Sequence, residues 1–308
     1  MRDEQTVAWF GQDPPIGDWK VDAAVTLLRD LDDGVLADEL AAESAGSLVD
    51  TFAGDRLFGR RLFSRFMRTT HLCGFLPESG AGQILPASAA LPDQSLQTKR
   101  LKITLDGLHV ARYPGRGTHE LLFDFVVQYQ PSTRGTSGFH YNSRFQAKNG
   151  ETVPVHNFPI FHGLEPRVDG ISFGFQTINL SSTFDQGVLD FLAADEFKLG
   201  LSLLGATNSL LGQLSEIASS LTRWIASQSK NVKVQEFRQG LDFSPGRLGA
   251  GLAEGSYIIV QVPQENANEW DWSEWSVDGT LMRLVHRGHP STTLDFNHLV
   301  FGVRAMAG

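Results

Sequence analysis

An antiparallel β-sandwich of about eight strands, with an inserted helical segment and a smaller, partly helical N-terminal region, is the fold class this sequence predicts. Three observations predict it. Short runs of alternating apolar and polar residues follow one another beyond Lys99, turn dipeptides separate them, and a single long stretch loses period 2 and takes up helical spacing. Strands without a regular helix between each pair indicate an antiparallel arrangement rather than a doubly wound sheet.

The N-terminal region is set apart by charge. Residues 1–50 hold 12 acids against 3 bases, and residues 51–70 hold 1 acid against 5 bases. These blocks can pair with each other or with another chain, and pairing within the chain is the preferred reading. Within the basic block, Phe52–Met67 is amphipathic at 100° per residue. Phe58, Leu62, Phe63 and Phe66 share one face, and Arg60, Arg61, Arg65 and Arg68 take the other. That pattern suits a helix docked on the acidic block or an interfacial membrane helix. From Gly74 to about Gln97, three prolines and three glycines with almost no charge read as a linker, which puts a boundary near residue 95. The expected units are therefore 1–95 and 96–308.

Leu101, Ile103 and Leu105 alternate with Lys102 and Thr104 in the first predicted strand. Further β-rich runs cover 121–130, 139–147, 170–180, 231–237, 256–262, 281–285 and 299–303. The dipeptides Asp106-Gly107, Pro114-Gly115, Asn149-Gly150, Asp169-Gly170, Pro245-Gly246 and Asp278-Gly279 are the turn signals between them.

The inserted segment spans about 185–229, read as a short helix over 185–195 and a long one over 197–228. Leu203, Leu210, Leu214, Ile217, Leu221 and Trp224 recur at intervals of three, four or seven and form one apolar ridge. Asn208, Gln213 and Ser215 interrupt the apolar composition and make it a poor transmembrane span. Gly200, Gly205 and Gly212 each cost about 1 kcal/mol against Ala in a helix, which close packing against another element would explain. The ridge is expected to bury itself in the sandwich, to pack on a partner or, after a trigger, to enter a bilayer interface.

Composition narrows the function. The chain has 308 residues and a formal charge of −9, which opposes a general nucleic-acid binder held by counterion release. Its single cysteine, Cys73, excludes an internal disulfide framework and a cysteine-based zinc site. The first residues, Met-Arg-Asp-Glu-Gln-Thr, show no signal-peptide pattern, and the expectation is a cytoplasmic protein, with peripheral membrane association as the alternative.

Catalytic and metal motifs are weak. Gly170-Ile171-Ser172-Phe173-Gly174 satisfies G-x-S-x-G, but the alternation from Phe173 to Asn179 continues a strand where a nucleophile elbow needs a turn into a helix. His286, His289 and His298, and the pair His156 and His162, lack metal-ligand spacing. Asp30-Leu31-Asp32-Asp33-Gly34 places its glycine too early for a calcium loop. Gly246-Arg247-Leu248-Gly249-Ala250-Gly251 precedes a strand, whereas a phosphate cradle follows one. No cofactor and no metal are expected.

Trp270-Asp271-Trp272-Ser273-Glu274-Trp275 holds half of the chain's six tryptophans. Trp270, Trp272 and Trp275 are candidates for a partner contact or a sugar-stacking platform, with capping of the sandwich end as the structural reading. The functional expectation is a non-enzymatic binding or assembly protein that acts through a protein partner or self-association. A membrane-active effector that releases its two amphipathic segments is the alternative. A sandwich hydrolase using Ser172 or the His286 region comes third.

Overall fold

The structure, a computed structural model of the chain, describes residues 10, 13–44, 66–78, 82–129, 137–166, 170–180, 218, 220–226, 231–246, 249–280 and 283–306. The protein is mainly β, as its alternation predicts, and two sheets face each other as a sandwich.

The larger sheet runs β2 (Leu85–Pro86), β1 (Thr69–Pro77), β11 (Gly255–Pro263), β15 (His298–Ala305), β3 (Leu101–Val110) and β6 (Glu151–Val153), and β7 (Phe158–Leu164) also pairs with β3. The smaller sheet runs β10 (Ala250–Gly251), β9 (Val232–Asp242), β8 (Ile171–Leu180), β4 (Thr118–Tyr129) and β5 (Ser137–Lys148). Pairing is antiparallel except for the short contact of β10 with β9. Aromatic rings fill the space between the sheets. Phe301 of β15 meets Phe173 of β8 at 4.7 Å and Phe125 of β4 at 6.0 Å between centroids. Stacked and edge-on rings of this kind add to their burial energy and fix the sheet spacing.

Both outer faces carry further layers. Strands β12 (Trp275–Asp278), β13 (Arg283–His286) and β14 (His289–Thr293) form a third sheet. With the tryptophans it covers Ile258, Val260, Val262 and Val300 on the outside of the larger sheet. Helical residues 218 and 220–226 (α3) cover Leu122, Ile178 and Leu180 on the outside of the smaller sheet. Helices α1 (Val21–Asp30) and α2 (Gly34–Ser44) contribute Ala24, Leu28, Leu36 and Leu40 to the same continuous apolar core.

Three sequence expectations need correction. The predicted linker is built into the fold. Its first residues belong to β1, which pairs with β11 from Thr69↔Pro263 to Pro77↔Gly255, so the larger sheet takes strands from both sides of residue 95. Downstream, the Asp93 N–H donates to the Leu252 carbonyl at 2.8 Å and Gln94 Nε2 to the Phe243 carbonyl at 2.7 Å. Asp106-Gly107 is a bulge and not a turn. Val300 pairs with Gly107 and Phe301 with Leu105, so Asp106 is the extra residue of one continuous strand. The bulge shifts the side-chain phase, which returns Leu108 and Val110 to the core face already occupied by Leu101, Ile103 and Leu105. Phe66, expected on an interfacial or partner-facing helix, is fully buried in a turn beside Gly17.

Ser172 pairs with Gln128 on one side and Gly240 on the other, so Gly170–Gly174 runs into an uninterrupted strand and forms no elbow. No helix among the described residues is long and apolar enough to cross a membrane.

Candidate functional site

The third sheet covers only one half of the larger sheet's outer face. On the other half, strand alternation turns Lys102 and Thr104 of β3 and Gly302 and Arg304 of β15 outward, and these residues pair across the ladder as Gly302↔Thr104 and Arg304↔Lys102. Among the described residues this uncovered half is the floor of the polar lobe of a cleft, and a second, apolar lobe on the sandwich-facing side of β1 meets it at Glu78 and Glu254.

The polar lobe has a volume of about 550 Å³ and is lined by Lys102, Thr104, Asp106, His156, Asn157 and Arg304, with Glu78 and Glu254 at its border. Asp106, the bulge residue, is buried and accepts the Thr104 hydroxyl proton at 2.7 Å. Arg304 Nε donates to Glu78 Oε1 at 3.0 Å, and its Nη1 donates to the Gly255 carbonyl at 2.6 Å. Glu254 Oε2 accepts the Ala305 N–H at 3.0 Å. Gly302 keeps the floor open: a Cβ there would lie 2.5 Å from Asp106 Oδ2 and 2.6 Å from Thr104 Oγ1. The apolar lobe, also about 550 Å³, is lined by Phe75, Pro77, Leu85, Ala89, Leu91 and Ala253. Glu78 and Glu254 border this lobe too, and Asp93 joins them. Leu91 is 84% exposed, far more than a side chain held for packing alone.

A second polar constellation lies on the outside of the smaller sheet. Asp124 of β4, buried, receives His140 Nδ1 of β5 at 3.0 Å and Gln176 Nε2 of β8 at 3.1 Å. A carboxylate that orients an imidazole is also found where a base must be aimed. The nearby hydroxyl, Thr222 Oγ1, donates to the Ala218 carbonyl and accepts from Asn142 Nδ2 at 2.7 Å. These bonds anchor α3 on β5 and leave that hydroxyl committed to structure.

The tryptophans expected to meet a partner are placed in the third layer. Trp275 is 1% exposed and Trp272 7% exposed, while Trp270 is half-buried and stacks on Trp275 at 5.6 Å with an interplanar angle of 8°. Trp272 lies against Gly74, where a Cβ would come within 2.8 Å of its ring. Trp272 and Trp275 therefore cannot serve as an accessible platform, because their faces are spent on covering β1, β11 and β15. On α3, Leu221 packs on the smaller sheet and Trp224 is 46% exposed. Phe58, Arg61, Leu62, Arg65, Leu203, Leu210, Leu214 and Ile217 lie outside the described residues.

The cleft residues were missed by motif reading because they come from distant segments. The available signal was the polar half of the alternation in β3 and β15. Among the described residues, no group of three or more His, Cys, Asp or Glu side chains is placed to hold a metal ion. Compared with protein-family models, curated proteins and solved structures, the chain matches none.

Proposed function

We propose that this chain is a non-enzymatic binding protein that works by association with a protein partner or a second copy of itself, with the two-lobed cleft as its contact face. One observation carries the reading. Four ionisable groups of the cleft are bonded to one another, to a hydroxyl or to the backbone, Arg304 to Glu78, Asp106 to Thr104 and Glu254 to Ala305, beside an apolar lobe with an exposed leucine. Fixed, pre-bonded polar groups around an apolar pocket suit recognition, because they hold their geometry before a partner arrives. The membrane-effector alternative is not favoured by its described parts, since Phe66 is buried and Leu221 packs on the smaller sheet.

The test is site-directed photo-crosslinking with a benzophenone amino acid in place of Leu91 and, as a control, of Val35, which is 61% exposed and distant from the cleft residues in sequence. The Leu91 position is expected to give a defined protein adduct, either a covalent dimer of the purified chain or a single heavier species in native extract. Excess unmodified chain is expected to suppress the adduct, and Val35 to give none. Absence of any competed adduct at Leu91 in both settings would remove the reading.

A further inference from the structure

The apolar lobe has an unusual balance of charge. Three carboxylates, Glu78, Asp93 and Glu254, border it, and among the described residues no lysine or arginine lines it. Each carboxylate spends one oxygen inside the protein: Glu78 Oε1 on Arg304, Asp93 Oδ1 on the Ser95 N–H at 2.9 Å, and Glu254 Oε2 on the Ala305 N–H. The second oxygens, Glu78 Oε2, Asp93 Oδ2 and Glu254 Oε1, have no hydrogen-bond partner among the described residues. The same lobe is lined by Phe75, Leu85 and Leu91, which form a hydrocarbon wall.

We infer that the apolar lobe receives a lysine or arginine side chain of the protein partner, a step that rests on the association reading above. The match is chemical. Long basic side chains carry an aliphatic stem that prefers apolar surface and a charged head that needs acceptors, and the lobe brings apolar wall and carboxylates together. A partner carboxylate would meet three acids, one of them paired with Arg304, and no base among the described lining residues. A purely aliphatic side chain would satisfy the wall and leave the acceptors unused. Arginine fits best, because its planar fork can serve two carboxylates together, and arginine is enriched among residues that dominate protein interfaces.

The test uses n-butylguanidinium as the arginine side-chain probe and n-butylurea as its neutral counterpart. Both are titrated into the full chain labelled at leucine methyls, with the Leu85 and Leu91 signals assigned through Leu85→Ile and Leu91→Ile. Butylguanidinium is expected to shift both signals saturably and to bind about tenfold more tightly than butylurea. The preference should vanish in Glu78→Gln/Asp93→Asn, where Asn preserves the cap that Asp93 gives to Ser95. Equal response to the two probes, or no saturable response to butylguanidinium, overturns the inference without recourse to the carboxylate variant. The outcomes separate the two ideas. A Leu91 adduct without cation preference rejects only the basic side chain, whereas cation preference without an adduct rejects only the association reading.

Discussion

The backbone N–H of Leu284 donates to Nε2 of His298 at 3.2 Å, and this fixes which imidazole nitrogen carries the proton. His298 Nδ1 lies 2.9 Å from the Phe296 carbonyl and donates to it, so the buried ring is the neutral Nδ1–H form. Burial pushes its pKa down to about 4, and the Phe296 carbonyl offsets this only in part. A second proton would set N–H against N–H at Leu284. Between about pH 6.5 and 4 the unfolded chain binds a proton that the folded chain refuses, so stability falls as the pH drops through that window and levels off below it. At 1.36 kcal/mol per pKa unit, the loss is about 3 kcal/mol. His71, also pushed down to about 4 by burial, acts in the same direction. Denaturant midpoints measured across this range are expected to decline toward acid, with a smaller slope in His298→Leu. A flat wild-type profile would refute the assignment.

Gly302 is the second place where one substitution separates ideas. Its outward position faces Thr104 and Asp106 so closely that Gly302→Ala must push both aside. Overpacking of this kind costs about 1–3 kcal/mol. The same methyl enters the polar lobe, so the variant is expected to lower the denaturation midpoint and to weaken Leu91 crosslinking, while Gly279→Ala, at an open turn with nothing within 4 Å, does neither.

The tryptophans make the contrasting case of residues whose role is packing. Trp275→Ala removes a fully buried indole from the layer over β11 and β15, at a cost of about 3–5 kcal/mol. Gly74→Ala drives a methyl into Trp272 and Ile84 and costs about 1–3 kcal/mol. Urea unfolding is expected to show both losses. If Trp275→Ala instead left stability unchanged and abolished the Leu91 adduct, the indoles would belong to the partner site after all.

What the sequence disclosed follows from how many faces each strand buries. Leu101, Ile103 and Leu105 are legible because the intervening Lys102 and Thr104 face the uncovered cleft, so apolar and polar alternate. β1 was lost among Pro and Gly because both of its faces are covered. Cys73 and Phe75 face the sandwich while Leu72 and Leu76 face the tryptophans, which erases the alternation. β7 is interrupted by two bulges opposite β3, and its run Phe-Pro-Ile-Phe-His-Gly-Leu has no clean period. The cleft was hidden for another reason: Glu78, Asp93, Asp106, Glu254 and Arg304 converge only after β1, β3, β11 and β15 have paired, and no spacing along the chain records that.

Asp33 gives the last prediction. It stands at the junction of α1 and α2, its side chain 1% exposed, and accepts from Arg112 Nη2 at 2.5 Å, with the half-exposed Arg116 Nε at 3.8 Å. The Arg112 backbone is held in turn by Asn297, whose Oδ1 accepts the Arg112 N–H at 3.1 Å and whose Nδ2 donates to the Arg112 carbonyl at 3.0 Å. The ion pair thus ties the helical hairpin to the loop between β3 and β4. Arg112→Met leaves a buried carboxylate without its main counter-charge and is expected to cost about 3–5 kcal/mol. Arg116→Ala, which removes a solvent-screened partner, is expected to cost about 0–1 kcal/mol. Asp33→Asn/Arg112→Met should be milder than the sum of its single changes, because the second substitution removes the charge that the first one strands. A urea double-mutant cycle measures this directly, and an Arg112→Met cost no larger than that of Arg116→Ala would show that the pair does not hold the hairpin.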